Sequence, residues 1–75
     1  MAERVFAWSQ GRRVRIVVAD VPGGYERLFA QVAADAAHIA DRDLLAADVS
    51  AIFGAHVRLE RGAPDQRDEI VIRVG

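Results

Sequence analysis

The chain has 75 residues, a formal net charge of −1 and no cysteine. At this length only about 60% of the unfolded chain's surface can be buried, which argues against a second domain and against a deep catalytic cleft. The lack of cysteine excludes disulfides, thiolate metal ligands and cysteine nucleophiles, and a charge so close to neutral argues against a general polyanion-binding protein.

The first two predicted elements form a hairpin. Glu3–Ser9 and Arg13–Ala19 read as strands, and Gln10-Gly11 between them contains the glycine that a tight turn needs for its positive φ. A two-residue turn would place Trp8 opposite Arg13. A three-residue loop or a bulge would instead turn one strand over, because successive side chains alternate between the two faces of a sheet.

The two-residue turn assigns each side chain of the hairpin to a face of the sheet. The side chains predicted to point towards the helices are Val5, Ala7, Val14, Ile16 and Val18. Those predicted to point away from the helices are Arg4, Phe6, Trp8, Arg13, Arg15 and Val17.

A turn and an amphipathic helix follow. Pro22-Gly23, within Asp20–Gly24, is typical of a type II turn. Over Tyr25–Ala40 apolar residues recur at helical spacing and form a stripe of Tyr25, Leu28, Phe29, Val32, Ala36 and Ile39. An apolar stripe of this width needs a sheet to cover it.

The helical region should contain a break. Tyr25–Phe53 has no glycine or proline, but one helix of that length would span about 43 Å, against about 23 Å for a seven-residue strand. Asp41 or Asp43 could cap a second helix over Leu44–Phe53, which Gly54 would end. Two helices would make the third strand antiparallel to the second, whereas one uninterrupted helix would make the two strands parallel.

The last third of the chain is predicted to form a second hairpin. Ala55–Arg61 and Glu69–Val74 alternate with strand period, and Gly62–Asp68 is the loop between them. The predicted fold class is α+β: a single two-layer domain over residues 1–75 in ββααββ order, with a four-stranded mainly antiparallel sheet and the helices on one face. Its expected core is Val14, Ile16, Val18, Leu28, Phe29, Val32, Ile39, Val49, Ile52, Leu59, Ile70 and Ile72.

Catalytic and metal-binding patterns are weak. His38 and His56 lack metal-ligand spacing, and Ser9 and Ser50 lie in no nucleophile motif. We therefore expect no cofactor and no metal, we nominate no catalytic residue, and an enzyme is the third alternative. Four aspartates could form an acidic strip that binds a divalent cation: Asp35, Asp41, Asp43 and Asp48. Helix capping and a solvated helix surface explain these residues more simply.

The face predicted to point away from the helices carries the candidate binding residues. Protein interfaces and single-stranded nucleic-acid platforms both place arginines beside aromatic side chains. Val17 and Val71 add apolar area, which favours an interface over nucleic acid. The candidate residues are Arg4, Phe6, Trp8, Arg13, Arg15, Val17, His56, Arg58, Val71 and Arg73.

Residues 13–53 resemble ribbon-helix-helix DNA-binding proteins. A strand from Arg13, a helix after Pro22 and a second helix opened by Asp41-Arg42-Asp43-Leu44-Leu45 follow that family's order. The resemblance implies a dimer whose paired strands enter the major groove, with Arg13, Arg15 and Val17 at the base edges. The chain departs from the family in its additional first strand, its last hairpin and its acidic second helix.

The sequence predicts a small non-enzymatic interaction or regulatory module that forms a homodimer through this face, with an unidentified protein as a further partner. Nucleic-acid binding through the same face is the alternative. All ten basic residues are arginine, which we attribute to codon usage in a GC-rich bacterial or phage genome. The charged segment Met1–Arg15 does not resemble a signal peptide and no apolar run approaches a membrane span, so we expect a cytoplasmic protein.

Overall fold

The computed structural model describes residues 1–19 and 23–75, and within them it contains four strands and two α-helices. The predicted type II turn depends on Pro22 and so lies outside the described residues. No helix in the described part of the chain is long and apolar enough to cross a membrane. In chain order the elements are β1 (Ala2–Ala7), β2 (Arg13–Val18), α1 (Tyr25–Ala36), α2 (Arg42–Phe53), β3 (Val57–Arg61) and β4 (Glu69–Val74).

The sheet is mixed, with the strand order β1-β2-β4-β3. The β1–β2 and β3–β4 hairpins are antiparallel, but β2 and β4 pair in parallel. The α+β class and the ββααββ order are therefore confirmed. Two of the three strand pairs are antiparallel, and the parallel β2–β4 pair makes the predicted mainly antiparallel sheet a mixed one. Strand β3 does run antiparallel to β2, but β4 lies between them. Because β4 is apolar on both faces, with Val71 on one and Ile72 on the other, a central position buries it more completely than an edge would.

The turn of the first hairpin is the predicted one, but a bulge lies beside it. Gln10 and Gly11 have φ values of 64° and 72°, and Arg12 N–H donates to the Ser9 carbonyl at 3.4 Å, as in a two-residue turn with both central φ angles positive. Trp8 N–H also donates to the Arg12 carbonyl, at 2.8 Å. Trp8 and Ser9 thus both lie opposite Arg12, which places one extra residue on the first strand.

The bulge turns β1 over. Phe6 lies opposite Val14 instead of Arg15, one residue away from the predicted register. Trp8 is only 5% exposed, whereas Val5 is 42% exposed. The predicted faces were therefore wrong for Arg4, Phe6 and Trp8, which lie on the helix side, and for Val5 and Ala7, which lie on the opposite side.

The predicted break between the helices is confirmed. Helix α1 ends at Ala36, four residues earlier than expected, and α2 begins two residues earlier than expected. The Asp41 carboxylate accepts hydrogen bonds from the N–H groups of Asp43 and Leu44, at 2.9 and 3.0 Å, and caps α2. Gly54, with φ 63°, ends α2 in the left-handed conformation that glycine adopts without strain.

The core lies between the two helices and the sheet, with Phe29 near its centre. The Phe29 ring is 2% exposed, and its centroid lies 5.6 to 6.0 Å from those of Phe6, Tyr25 and Phe53. Of the predicted core, Ile39, Ile52, Leu59 and Ile70 pack at its edge, Leu28 is half-buried, and the remainder is buried. The buried set also includes Trp8, Ala36, Leu45, Ala46 and Val74.

Candidate interface

The face of the sheet opposite the core is left open by both helices. We call it the outer sheet face. Six predicted site residues lie on it: Arg13, Arg15, Val17, Arg58, Val71 and Arg73. The other residues of the face are Glu3, Val5, Ala7, Glu60 and Glu69.

Three valines lie around Arg15 in the middle of the outer sheet face. In the register of the sheet, Arg15 lies between Val5 and Val71, and Val17 lies beside Arg73. Val17 and Val71 are 8% and 9% exposed although neither helix covers them. Arginine side chains lay their methylene stems along neighbouring apolar surface, and the register neighbours of Val17 and Val71 on the adjacent strand are Arg73 and Arg15.

Ion pairs connect the charged side chains around the valines. Arg15 donates from Nε to Glu69 at 2.7 Å and from Nη1 to the Glu3 carboxylate, while Glu69 also lies 3.6 Å from Arg13. The hydrogen bond to Glu69, and then that to Glu3, raise the pKa of the Arg15 guanidinium above its ordinary value. Arg15 therefore remains a fixed positive charge.

Glu69 is the buried member of this network. It is 4% exposed, and a carboxylate so far from water needs ionic or hydrogen-bonding partners. Arg15 and Arg13 supply two ionic partners. With the Gln66 amide turned so that its nitrogen faces Glu69, that nitrogen lies 3.3 Å from each carboxylate oxygen. The loop before β4 and the outer sheet face are thus joined through one carboxylate.

The other side of the face has a simpler arrangement. Arg73 donates from Nε to Glu60 at 2.8 Å. Arg58 has no ion-pair partner among residues 1–19 and 23–75.

The remaining predicted site residues lie elsewhere. Arg4 lies on the helix side, with its guanidinium carbon 5.4 Å from the centroid of the Phe29 ring and an ion pair to Glu26 at 2.5 Å. His56 is exposed just before β3. Phe6 and Trp8 belong to the core side, so the outer sheet face has no aromatic side chain. The sequence contained no local signal for the bulge that moved them.

The strand arrangement implied by the ribbon-helix-helix resemblance is not found. A dimer of that kind pairs the strand before the two helices with the same strand of its mate. In this chain that strand is β2, which is hydrogen-bonded to β1 on one edge and to β4 on the other. No free edge remains on β2 for a mate.

Two members of the predicted acidic strip meet between α1 and α2. Oδ2 of Asp48 is buried and has no donor among the described residues. The pKa of Asp48 is raised to about 6, mainly by burial and then by the hydrogen bond with Asp35 and the charge of Asp35. The other two acids, Asp41 and Asp43, lie at the start of α2. Within the described ranges no three metal-binding side chains cluster.

No protein-family model matches the chain, and comparison with curated proteins and with solved structures gave no match. The fold and the chemistry of its surface are therefore the basis for a functional proposal.

Proposed function

We propose that the protein is a small non-enzymatic interaction module that forms a homodimer through its outer sheet face. The observation that carries the proposal is that Val5, Val17 and Val71 lie around Arg15 in the middle of this face, with charged residues towards its margins. An apolar centre with a polar rim is the usual anatomy of a protein interface. We retain the cytoplasm as the expected compartment, since a chain without cysteine suits a reducing environment.

The charge pattern of the face supports a second copy of the chain as the partner. Four arginines and three glutamates are interleaved across it. A two-fold mate presents the same pattern in reverse, so Arg58 of one copy could meet Glu3 or Glu60 of the other and no charge need be buried alone. The existing ion pairs also restrict these side chains before association, which lowers the entropy lost on binding.

The dimer should be reversible. The accessible surface of the chain is 4675 Å², close to the roughly 4500 Å² expected of a folded monomer of this size. With Phe6 and Trp8 inside the core, the monomer has little apolar surface that must be covered. The monomer therefore does not need association in order to fold.

The same geometry favours an interface over nucleic acid. Arg13, Arg15 and Arg73 are paired with carboxylates, which a phosphate would have to displace. Bases would find no aromatic ring on this face to stack on. We expect oligonucleotide binding to be weak at about 150 mM salt.

Sedimentation equilibrium with matched variants tests the proposal. The wild-type chain should rise from one to two chain masses between about 1 µM and 1 mM. Val5→Glu puts a charge into the apolar centre and should remain monomeric. Leu44→Glu is the control, because Leu44 is an apolar side chain that is 64% exposed on α2, and it should associate as the wild type does.

Two outcomes would refute the homodimer. One is a wild-type chain that stays monomeric up to about 1 mM, and the other is association that Leu44→Glu abolishes and Val5→Glu does not. Sub-micromolar oligonucleotide affinity at about 150 mM salt, lost in Arg13→Glu with Arg15→Glu, would instead establish the nucleic-acid alternative.

A further inference from the structure

A cleft with an excess of positive charge lies between the start of α2 and the β3–β4 loop. Its volume is about 570 Å³, and its lining includes Arg42, Arg61 and Arg67 together with the apolar side chains of Pro64 and Ile70. Small-molecule sites commonly have volumes of about 300 to 1,000 Å³ and combine apolar walls with a few polar groups. The cleft is therefore large enough for a small organic ligand.

The arginines of the cleft form almost no ion pairs with the part of the chain that the structure describes. Arg61 and Arg67 form no ion pair with any described residue, and Arg42 has only a 3.9 Å contact with Asp43, between two exposed side chains. A contact of that kind stabilises a protein very little. Three arginines thus line one cleft and form almost no ion pairs with the described residues.

The two glutamates that border this region are already paired. Glu69 lines the cleft but is held by Arg15 at 2.7 Å. Glu60 borders an adjoining recess, which shares Arg42 and Arg61 with the cleft, and is held by Arg73 at 2.8 Å. Both carboxylates are therefore neutralised by arginines of the outer sheet face, and the lining of the cleft contains three arginines and one paired glutamate.

The loop that forms one wall is held by its own backbone. Gly62 N–H donates to the Glu69 carbonyl at 3.0 Å, and Gln66 N–H donates to the Ala63 carbonyl at 2.7 Å. The loop approaches Gly62 so closely that an added Cβ would lie 2.6 Å from the Gln66 carbonyl oxygen. These contacts fix the backbone that carries Arg61 and Arg67 before any ligand arrives.

We propose that this cleft binds the phosphate group of a small organic phosphate. Guanidinium groups bind phosphate oxygens in pairs, and three of them suit the charge of a phosphomonoester or a diphosphate. The organic part of the ligand would contact Pro64 and Ile70. The N–H groups of Asp43 and Leu44 at the start of α2 are occupied by Asp41, so arginine side chains carry the binding. The site shares only Glu69 with the outer sheet face and does not depend on dimer formation.

Calorimetric titration of the full chain with inorganic pyrophosphate tests the site at about 150 mM salt. Arg61→Gln combined with Arg67→Gln should weaken binding by about tenfold or more, because each removed charged hydrogen bond contributes substantially to affinity. Arg27→Gln is the matched control, since Arg27 is exposed on α1, outside the cleft, and should leave binding unchanged. Circular dichroism should show that all variants remain folded.

Three results would overturn the proposal. The first is a titration in which pyrophosphate gives no binding heat up to about 10 mM, which would exclude a phosphate site of useful affinity. Equal loss in Arg27→Gln and in the double variant would indicate general charge attraction. A single-stranded oligonucleotide that binds more tightly than pyrophosphate, with the same loss in the double variant, would assign the cleft to a polymer and exclude a small-molecule role.

Discussion

The indole Nε1 of Trp8 donates a hydrogen bond to the main-chain carbonyl of Ile39, at 2.5 Å. This bond joins the first hairpin to the segment between α1 and α2. Arg12 adds to it, with its guanidinium carbon 3.6 Å from the centroid of the Trp8 ring and its Nη2 donating to the Ala40 carbonyl at 2.9 Å. Trp8, which the sequence placed on a surface, therefore connects two loops across the core side of the molecule.

Replacing Trp8 with Phe tests this connection. The variant keeps an aromatic ring but leaves the Ile39 carbonyl without its donor, and we expect a loss of about 1 to 2 kcal/mol in the free energy of unfolding. Urea denaturation followed by circular dichroism measures it. A variant as stable as the wild type would show that the bond contributes nothing to the fold.

Replacing Phe29 with Ala tests the position of the core. Phe29 contacts three other aromatic rings, so its removal should cost about 3 to 5 kcal/mol, enough to unfold much of a domain of this size. Leu28→Ala is the comparison, because Leu28 is only half-buried, and it should cost less. Equal losses in the two urea melts would mean that the buried side of α1 is wrongly assigned.

The Asp48 carboxyl should make stability depend on pH. Its pKa in the folded chain is about 6, above the ordinary value of 3.8, so the fold favours the protonated form. This contribution is fully present below pH 3.8 and is lost as the pH rises through about 6. Asp48→Asn should therefore be more stable than the wild type at pH 7, by about 1 kcal/mol or less because solvent reaches part of the carboxyl.

Thermal melts between about pH 4 and pH 8 follow this effect. The stability difference between Asp48→Asn and the wild type should grow with pH. Asp65→Asn, an equivalent change on an exposed loop residue, controls for the loss of one negative charge. A difference that is constant across the range, or the same in both variants, would exclude Asp48 as the responsible group.

Local signals in the sequence predicted the local features of the fold. Asp41 could be named as one of two candidate caps, with Asp43, because capping involves only the next three residues. Gln10-Gly11 could be identified as a turn because a tight turn depends on its own φ angles. The bulge at Trp8 could not be predicted from local sequence, since the indole is held by a carbonyl 31 residues away in the chain. One missed bulge changed the face of every β1 side chain and removed both aromatics from the candidate site.

Other features depend on contacts between distant segments. The alternation of β4 predicted a strand, and its apolar residues on both faces were a signal of a central position, which sets the parallel pairing with β2. The cleft beside Arg42 brings together the start of α2 and a loop about 20 residues later, and no spacing in the sequence indicates it.

Amide chemical shifts measured during dilution from about 1 mM to 50 µM test the outer sheet face most directly. The proposed dimer predicts concentration-dependent shifts for Val5, Val17 and Val71, and a constant signal for the Trp8 indole N–H, which lies on the core side. Constant shifts on the outer sheet face, or changes confined to the helices, would contradict the proposal.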